Sequence, residues 1–463
     1  MQKNVTFPIG TVALIDKIDS ETGFFKKIFE PIMGKARTFI PSMKLLLNNK
    51  LGQSVSINRI LDFTPEELQD LIGFKDNISE RTLYRTLERI GERYQFILEL
   101  YQQWIQEQNL VDPKQFVDFS STYFEGNKCE MGKLGYSRDH QPGKRQITFG
   151  VSVGLNNIPT MITIQKGNVQ DKTQMKSMIQ LSSKILPDNS LIVFDNGGNT
   201  KANKKAIRDK NLHYLTRKAK KKGPYQTAIQ IFRSGPQVLF TSNEEEYRCV
   251  KVSDDNEYQY IFFSKNRERE QLVAKQKKFE KKLEEGSKIL KKVRKGKDLG
   301  QHVAHEGYIV VRGELQQTID GTPNPYINGI EGFFILESSV NEEPEKILET
   351  YKNRDKAEKL IRDLKEGGEI RPVRHWSDNA VIGSVLIVFF TKVLVSLTEF
   401  LCDNPVVKNL KVLKKYLINL TLTIVYPEFG FGIRIISNYL PELKPFFGDF
   451  IKKYGSLGAP NCW

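Results

Sequence analysis

Apolar positions along the chain change texture several times. Up to about residue 110 they recur at helical spacing. Ser42–Leu47 and Ser56–Leu61 read as short helical pieces, and Thr64-Pro65-Glu66-Glu67 has the cap, proline and acidic first turn of a helix start. Asn77–Ile90 predicts a helix capped by Ser79. Ile78, Leu83, Leu87 and Ile90 face inward, while Arg81, Arg85 and Arg89 repeat every four residues on the outside. From Gln115 the pattern alternates between strand and helix. A strand over Gln115–Phe124 carries Asp118. Ile147–Val153 and Pro159–Ile164 form a hairpin through Asn156-Asn157. A helix over Lys172–Leu186 follows, then the continuous apolar run Ser190–Phe194, which suits a strand buried on both faces. It ends in Asp195 before Asn196-Gly197-Gly198. A short helix from Lys201 and a strand at His213–Thr216 close this part.

A Lys run at 218–223 opens a different interval. It holds strand patterns at Gln237–Phe240, Tyr247–Val252, Tyr258–Phe263, Tyr308–Arg312 and Gly332–Leu336, with a charged helix over about Asn266–Arg294. A helix then starts near Asn341-Glu342-Glu343-Pro344 and stops at Gly367-Gly368. Two apolar helices near Ser377–Leu401 and Val406–Tyr426 complete the pattern. Phe429, Phe431, Tyr439, Phe446, Phe447 and Phe450 make the tail a packed one. The expected division is 1–110, 111–217, 218–330, 331–400 and 401–463.

Composition changes this picture in three ways. A net charge of +15, from 70 Lys and Arg against 55 Asp and Glu, favours a polyanionic partner, although ribosomal, membrane-surface and merely soluble basic proteins share that balance. Cys129, Cys249, Cys402 and Cys462 form no C-x-x-C pair, which speaks against a zinc site or disulfide framework and for a reducing cytoplasm. Met1–Lys17 lacks the pattern of a signal peptide. Ala380–Leu401 is apolar enough to be a membrane suspect. Lys392 and Glu399 interrupt it, so a buried core helix with no membrane is expected.

The helix before Gly367 carries the chemistry. At ~100° per residue, Tyr351, Arg354, Glu358 and Lys365 share an arc of roughly 60°. Ala357, Leu360, Ile361 and Leu364 form an apolar stripe beside it. A phenol, a guanidinium, a carboxylate and an ammonium on one face suit phosphate oxygens plus a metal ion. The alternative is a solvated charged face. The spacing Tyr-x2-Arg-x3-Glu-x6-Lys, with Asp118 and Asp195 upstream on strands, resembles the signature of insertion-sequence transposases with an Asp-Asp-Glu triad. The resemblance covers about residues 55–400. Gly167–Asp171 and Arg371–Trp376 also resemble segments of that group, whereas Asn196-Gly197-Gly198 departs from its usual loop.

That resemblance implies an α/β fold: an RNase H-like core, a mostly β insertion domain, an N-terminal helical DNA-binding region and a C-terminal helical region. It implies Asp118, Asp195 and Glu358 as catalytic and metal-binding acids. Carboxylates without His or Cys fit Mg²⁺, with Mn²⁺ as substitute, rather than zinc. Tyr351, Arg354 and Lys365 would position phosphates, and Arg81, Arg85 and Arg89 suit a recognition helix, the alternative being an ordinary bundle helix. Arg138 and His140, in the basic loop 135–145, are further DNA-binding residues, and Asp171 is a helix cap. The implied activity is cleavage at transposon ends and transfer of the 3′-hydroxyl into target DNA. The implied partners are double-stranded DNA with inverted-repeat ends and a second copy of the chain on paired ends. The implied setting is a prokaryotic cytoplasm, at the nucleoid. A catalytically silent DNA-binding derivative and a stand-alone metal-dependent nuclease remain open beside it.

Overall fold

The computed structural model describes residues 4–76, 78–126, 128–254, 257–293, 308–311, 314–317, 324–368, 370–402, 410–428 and 432–458. Asn77, Arg294, Arg312, Val406, Phe429, Phe431 and Cys462, named above, lie outside them. The chain divides into two compact units, one of residues 1–212 and 353–463, the other of residues 213–352.

The first unit opens with β1 (Val5–Pro8). Helices follow, among them Gly10–Thr22, Phe39–Leu51, Glu66–Ile72, Glu80–Glu92 and Tyr94–Glu107. The central sheet is built from β2 (Lys114–Tyr123), β3 (Gln146–Val153), β4 (Pro159–Lys166) and β5 (Leu191–Phe194), in the order β4-β3-β2-β5. The first three are an antiparallel meander, and β5 runs parallel to β2 after the crossover helix Asp171–Ile185. Three consecutive strands, a helix and a parallel strand are the RNase H-like order expected from the sequence. β3 is buried along its whole length, as a sheet covered on both faces requires. One buried polar knot crosses it: Gln115 Oε1 accepts from Ser152 Oγ at 2.7 Å and from Thr160 Oγ1 at 2.6 Å.

The helix Tyr94–Glu107 docks on this sheet through its tyrosines. Tyr94 donates to the Ile162 carbonyl at 3.1 Å, and Tyr101 donates to the Pro159 carbonyl. Both carbonyls belong to the β4 hairpin, so two phenols satisfy acceptors that a buried edge would otherwise leave unpaired.

The second unit holds β6 (His213–Arg217), β7 (Val238–Ser242), β8 (Glu245–Asp254), β9 (Glu257–Phe263) and β12 (Phe333–Ser338), in the order β6-β12-β9-β8-β7, antiparallel at every pairing. A hairpin of β10 (Tyr308–Val311) and β11 (Glu314–Gln317) and the charged helix Lys265–Val293 also belong to it. Residues 222–234 form a helix that the Lys run hides in the sequence. Tyr225, Ala228, Ile229 and Phe232 bury one side of it against Val250, Ile261, Phe333 and Ile335.

The first unit resumes after Lys352. The helix Asp378–Leu401 is its longest. Among the described residues it alone is long and apolar enough to cross a membrane, and 83% of its most apolar window is buried inside the protein. It crosses the helix Glu80–Glu92 at very close range. A Cβ on Gly91 would stand 1.9 Å from the Asn379 carbonyl oxygen, and one on Gly383 would stand 2.1 Å from that of Leu87. Only glycine allows that approach. A second sheet joins β1, β13 (Thr421–Val425), β14 (Ile433–Ser437) and β15 (Ser456–Leu457) in the order β1-β13-β14-β15.

Two sequence expectations are corrected here. The helix expected over Val406–Tyr426 is a helix only at Leu410–Asn419 among the described residues. Thr421-Leu-Thr-Ile-Val then alternates polar and apolar side chains as strand β13. The helix expected from Pro344 to Gly367 is three pieces: Pro344–Lys352, Asp355–Arg362 and a wider π turn at Asp363–Gly367. The two sides of the break are anchored separately. Lys352 donates to Ser242 Oγ at 3.1 Å in the second unit, and Lys356 donates to Asn157 Oδ1 at 2.7 Å in the first.

Candidate active site

Asp118 sits in the middle of β2. Lys114 to Val117 pair in register with Leu191 to Phe194. One step further sets Asp118 beside Asp195, which keeps an extended backbone (φ −81°, ψ 174°) just past the end of β5. Neighbouring strands lie about 4.8 Å apart, and equivalent positions share a face. The two aspartates therefore project from the same side of the sheet.

Glu358, the third acid expected from the sequence, lies on the helix Asp355–Arg362. Ala357, Leu360 and Ile361 are buried, and the helix packs across β2 and β3 by that stripe. Leu364 continues the stripe in the π turn. Glu358 stands opposite, half exposed at 49%. Arg354, at the start of this helix, reaches both carboxylates: it is ion-paired with Glu358, and its Nη1 is 3.9 Å from Asp118 Oδ1. Burial pushes the Asp118 carboxyl up to about 6, with Glu358 adding to the rise. The nearby Arg354, the Phe119 backbone N–H and Arg138 work against it. A buried acid of this kind is one that a cation stabilises in its charged form.

The other sequence-predicted residues are distributed unevenly. Tyr351 ends the helix Pro344–Lys352 of the second unit, so the four-residue stripe expected on one helix is not on one helix. Lys365 is turned inward by the π turn, only 9% exposed, and donates to Asp139 Oδ1 at 2.8 Å. Burial holds its ammonium below the usual lysine range, and Asp139 opposes that shift. Arg138 donates to the Phe119 carbonyl and to the Asp171 carboxylate. Asp171 opens the helix Asp171–Ile185 and is Arg138's ion-pair partner. His140 is exposed, with a left-handed backbone at φ 54°. Arg81 and Arg85 are exposed on the helix Glu80–Glu92, whereas Arg89 lies over the Phe39 ring at 5.7 Å. Ser79 begins this helix, but its hydroxyl sits 3.2 Å from Thr82 Oγ1 rather than capping a backbone N–H.

Sequence reasoning missed Asp139. It is 2% exposed and bonded to Lys365 and to Arg371, whose Nη1 is 3.0 Å away. The signal was a lone acid within the basic loop Arg138–Arg145. Its partners lie more than 200 positions along the chain.

Among the described residues no three or more His, Cys, Asp or Glu side chains gather closely enough to hold a metal ion. The donor chemistry nevertheless suits a hard divalent cation. Asp118 and Asp195 share a sheet face, and Arg354 links Asp118 to the carboxylate of Glu358.

No curated protein matches the chain. Among solved structures, a piggyBac transposase synaptic complex with hairpin DNA, determined by cryo-EM, is similar at a TM-score of 0.39 and 11% sequence identity, over 90% of this chain and 82% of that one. The family described as transposase DDE domain matches residues 111–391, a span that takes in Asp118, Asp195 and Glu358. With more than half of its length matched, the chain belongs to the DDE-domain transposase family and acts on DNA as a transposase.

Proposed function

We propose that Asp118, Asp195 and Glu358 are the catalytic acids with which this transposase cuts the ends of its element and joins the freed 3′-hydroxyl to target DNA. The observation that carries this reading is the juxtaposition of Asp118 and Asp195 on parallel strands, with Glu358 bound to the arginine that also faces Asp118. Asp118, Asp195 and Glu358 would together hold Mg²⁺, with Mn²⁺ as substitute. Bound there, the ions supply Lewis-acid activation of the attacking oxygen and neutralise charge on the leaving one.

The chain's own groups do the rest. Asp118, on a central strand, and Asp195, where β5 ends, give a fixed base for the site, because the sheet around them is closely packed. Glu358 comes from a separate helix, so its approach depends on how that helix is seated. Arg354 holds Asp118 and Glu358 near each other while no substrate is bound. Released from them, its planar guanidinium can take an end phosphate by two parallel hydrogen bonds. Tyr351, Arg81, Arg85, Arg89 and His140 make up the wider DNA-contacting set in this reading, with Arg81, Arg85 and His140 the exposed members; Arg138 and Lys365, also expected there from the sequence, are bonded within the protein. The substrate is double-stranded DNA with inverted-repeat ends, brought together by two copies of the chain. The setting is the nucleoid of a prokaryotic cytoplasm.

The test is a gel shift run beside a cleavage assay on one labelled end duplex with Mg²⁺. Glu358→Gln keeps the shape of the side chain but loses its charge, so it should still bind the duplex while cutting neither strand. If Glu358→Gln cuts like the parent, the third acid lies elsewhere, with Glu331 or Glu337 the next to examine. Those two are already ion-paired, with Lys275 and Lys218.

A further inference from the structure

Two adjacent residues outside the acid set reach all three acid-bearing elements. Arg138 and Asp139 lie in the loop between β2 and β3. The Arg138 backbone N–H donates to Ser121 Oγ at 3.1 Å, and its guanidinium donates to the carbonyl of Phe119, the residue after Asp118. The same guanidinium holds the Asp171 carboxylate. Asp171 in turn lies against the turn that follows Asp195: a side chain on Gly197 would begin 2.4 Å from Asp171 Oδ2. Asp139 Oδ1 accepts from Lys365 Nζ at 2.8 Å, in the turn that continues the Glu358 helix, and from Arg371 Nη1 at 3.0 Å.

The burial of these contacts sets them apart from an ordinary surface ion pair. Asp139 is 2% exposed and Lys365 9%. Asp139 Oδ2 is buried and accepts no hydrogen bond, so the carboxylate's charge is answered through Oδ1 by the two cations. A buried pair of this kind fixes geometry, because either partner alone would be an uncompensated charge.

We propose that Arg138 and Asp139 are positioning residues that set the spacing of the three catalytic carboxyl groups. Asp139 acts through Lys365 on the helix of Glu358. Arg138 acts on the strand of Asp118 directly and on the turn of Asp195 through Asp171. This proposal rests on the reading of those three acids as the metal-holding set. It gives Lys365 and Arg138 an internal task in place of direct phosphate contact.

The experiment uses the full chain without DNA and Mn²⁺ alone as the probe, with binding measured by calorimetry. Asp139→Asn and Arg138→Gln should weaken Mn²⁺ binding by about ten-fold or more, the scale usual for partners that orient metal ligands. Lys365→Arg, which keeps the buried pair, should bind close to the parent. With end duplex and Mg²⁺, the first two variants, their folded fraction matched to the parent by near-UV circular dichroism, should lose kcat with KM for the duplex little changed. A folded Asp139→Asn variant with parental Mn²⁺ affinity overturns the proposal. Should Asp139→Asn fail to fold, the less buried Arg138→Gln carries the same test. Asp118→Asn separates the two readings. If it binds Mn²⁺ like the parent, the assignment of the acids fails, and the positioning proposal with it. If it loses Mn²⁺ while Asp139→Asn and Arg138→Gln keep it, the positioning proposal alone fails.

Discussion

Arg354 is ion-paired with Glu358 and its Nη1 stands 3.9 Å from Asp118 Oδ1, and this sets the sign of what its removal does. Its charge lowers the Asp118 carboxyl against a larger rise from burial. Arg354→Ala should therefore raise Asp118 further, and the acidic limb of the pH profile of end cleavage should move to higher pH. Arg354→Lys should restore part of the shift. Lys365→Ala acts differently, because it leaves the buried Asp139 with Arg371 as its charged partner. A loss on the order of 3 kcal/mol in unfolding free energy is expected, read as a lower urea midpoint. His375 gives a third test. Burial, with Lys50 nearby, brings its imidazole down to about 4 from 6.5. Between those values the unfolded chain binds the proton and the folded one does not, so the His375 contribution is complete above about pH 6.5 and is lost as pH falls toward 4. His375→Gln should flatten that part of the thermal-midpoint profile. The comparison must be between variant and parent, because the raised Asp118 works in the opposite sense over part of the same interval. At this scale Asp118 and Asp195 were legible in the sequence because they interrupt or end strand patterns, and Glu358 because it shares a helical face with Arg354. Asp139 was not, since nothing local distinguishes a loop aspartate that meets its lysine 226 positions later.

Among the elements, strands were the easier to read. β5 follows from a continuous apolar run, β2 from the strand pattern around Asp118, and the β3–β4 hairpin from its Asn-Asn turn, with Asn157 at φ 62°. The helix over 222–234 was hidden by the lysines at its start, and β13 by the apolar helix before it. The break at residues 353–354 could not be read either. Helical periodicity is continuous across it, and only the separate anchoring of Lys352 and Lys356 shows why the pieces part. The crossing of Glu80–Glu92 with Asp378–Leu401 gives the clearest packing test. Gly91→Ala or Gly383→Ala would push a methyl group into a backbone carbonyl, and each should cost roughly 1–3 kcal/mol, measured as a lower denaturant midpoint. An alanine at exposed Gly126 or Gly143 meets nothing within 4 Å, although both have positive φ, so backbone strain alone would be seen there.

For the whole molecule, the N-terminal residues are part of the first unit rather than an appendage to it. β1 pairs with β13, the helix Glu80–Glu92 crosses Asp378–Leu401, and Tyr94 and Tyr101 bond to the β4 hairpin. Deleting residues 1–110 should therefore unfold the core, seen as loss of a cooperative thermal transition, and would not isolate a DNA-binding function. Single substitutions are the proper probe. Arg81→Gln and Arg85→Gln remove exposed charges, and each should reduce the slope of log affinity against log salt by about one if it meets a phosphate. An unchanged slope would assign recognition elsewhere on this basic chain. The α/β class was legible from texture, and the inserted β-rich segment from its strand patterns together with the family resemblance. The pairing of the two chain ends was not, because no local pattern encodes a partner so far away.

That pairing bears on how the protein is made. Val5 lies opposite Ile424, so β1 has no partner until the chain has been made through Ile424. At ~5–20 residues per second the wait is about 20–80 s. Glu358 also follows the entire second unit in order of synthesis. A chain that stops before Thr421 lacks the strand that pairs with β1, and one that stops before residue 358 also lacks the proposed third acid. On the proposed assignment, competence to cut DNA belongs to chains made through both elements.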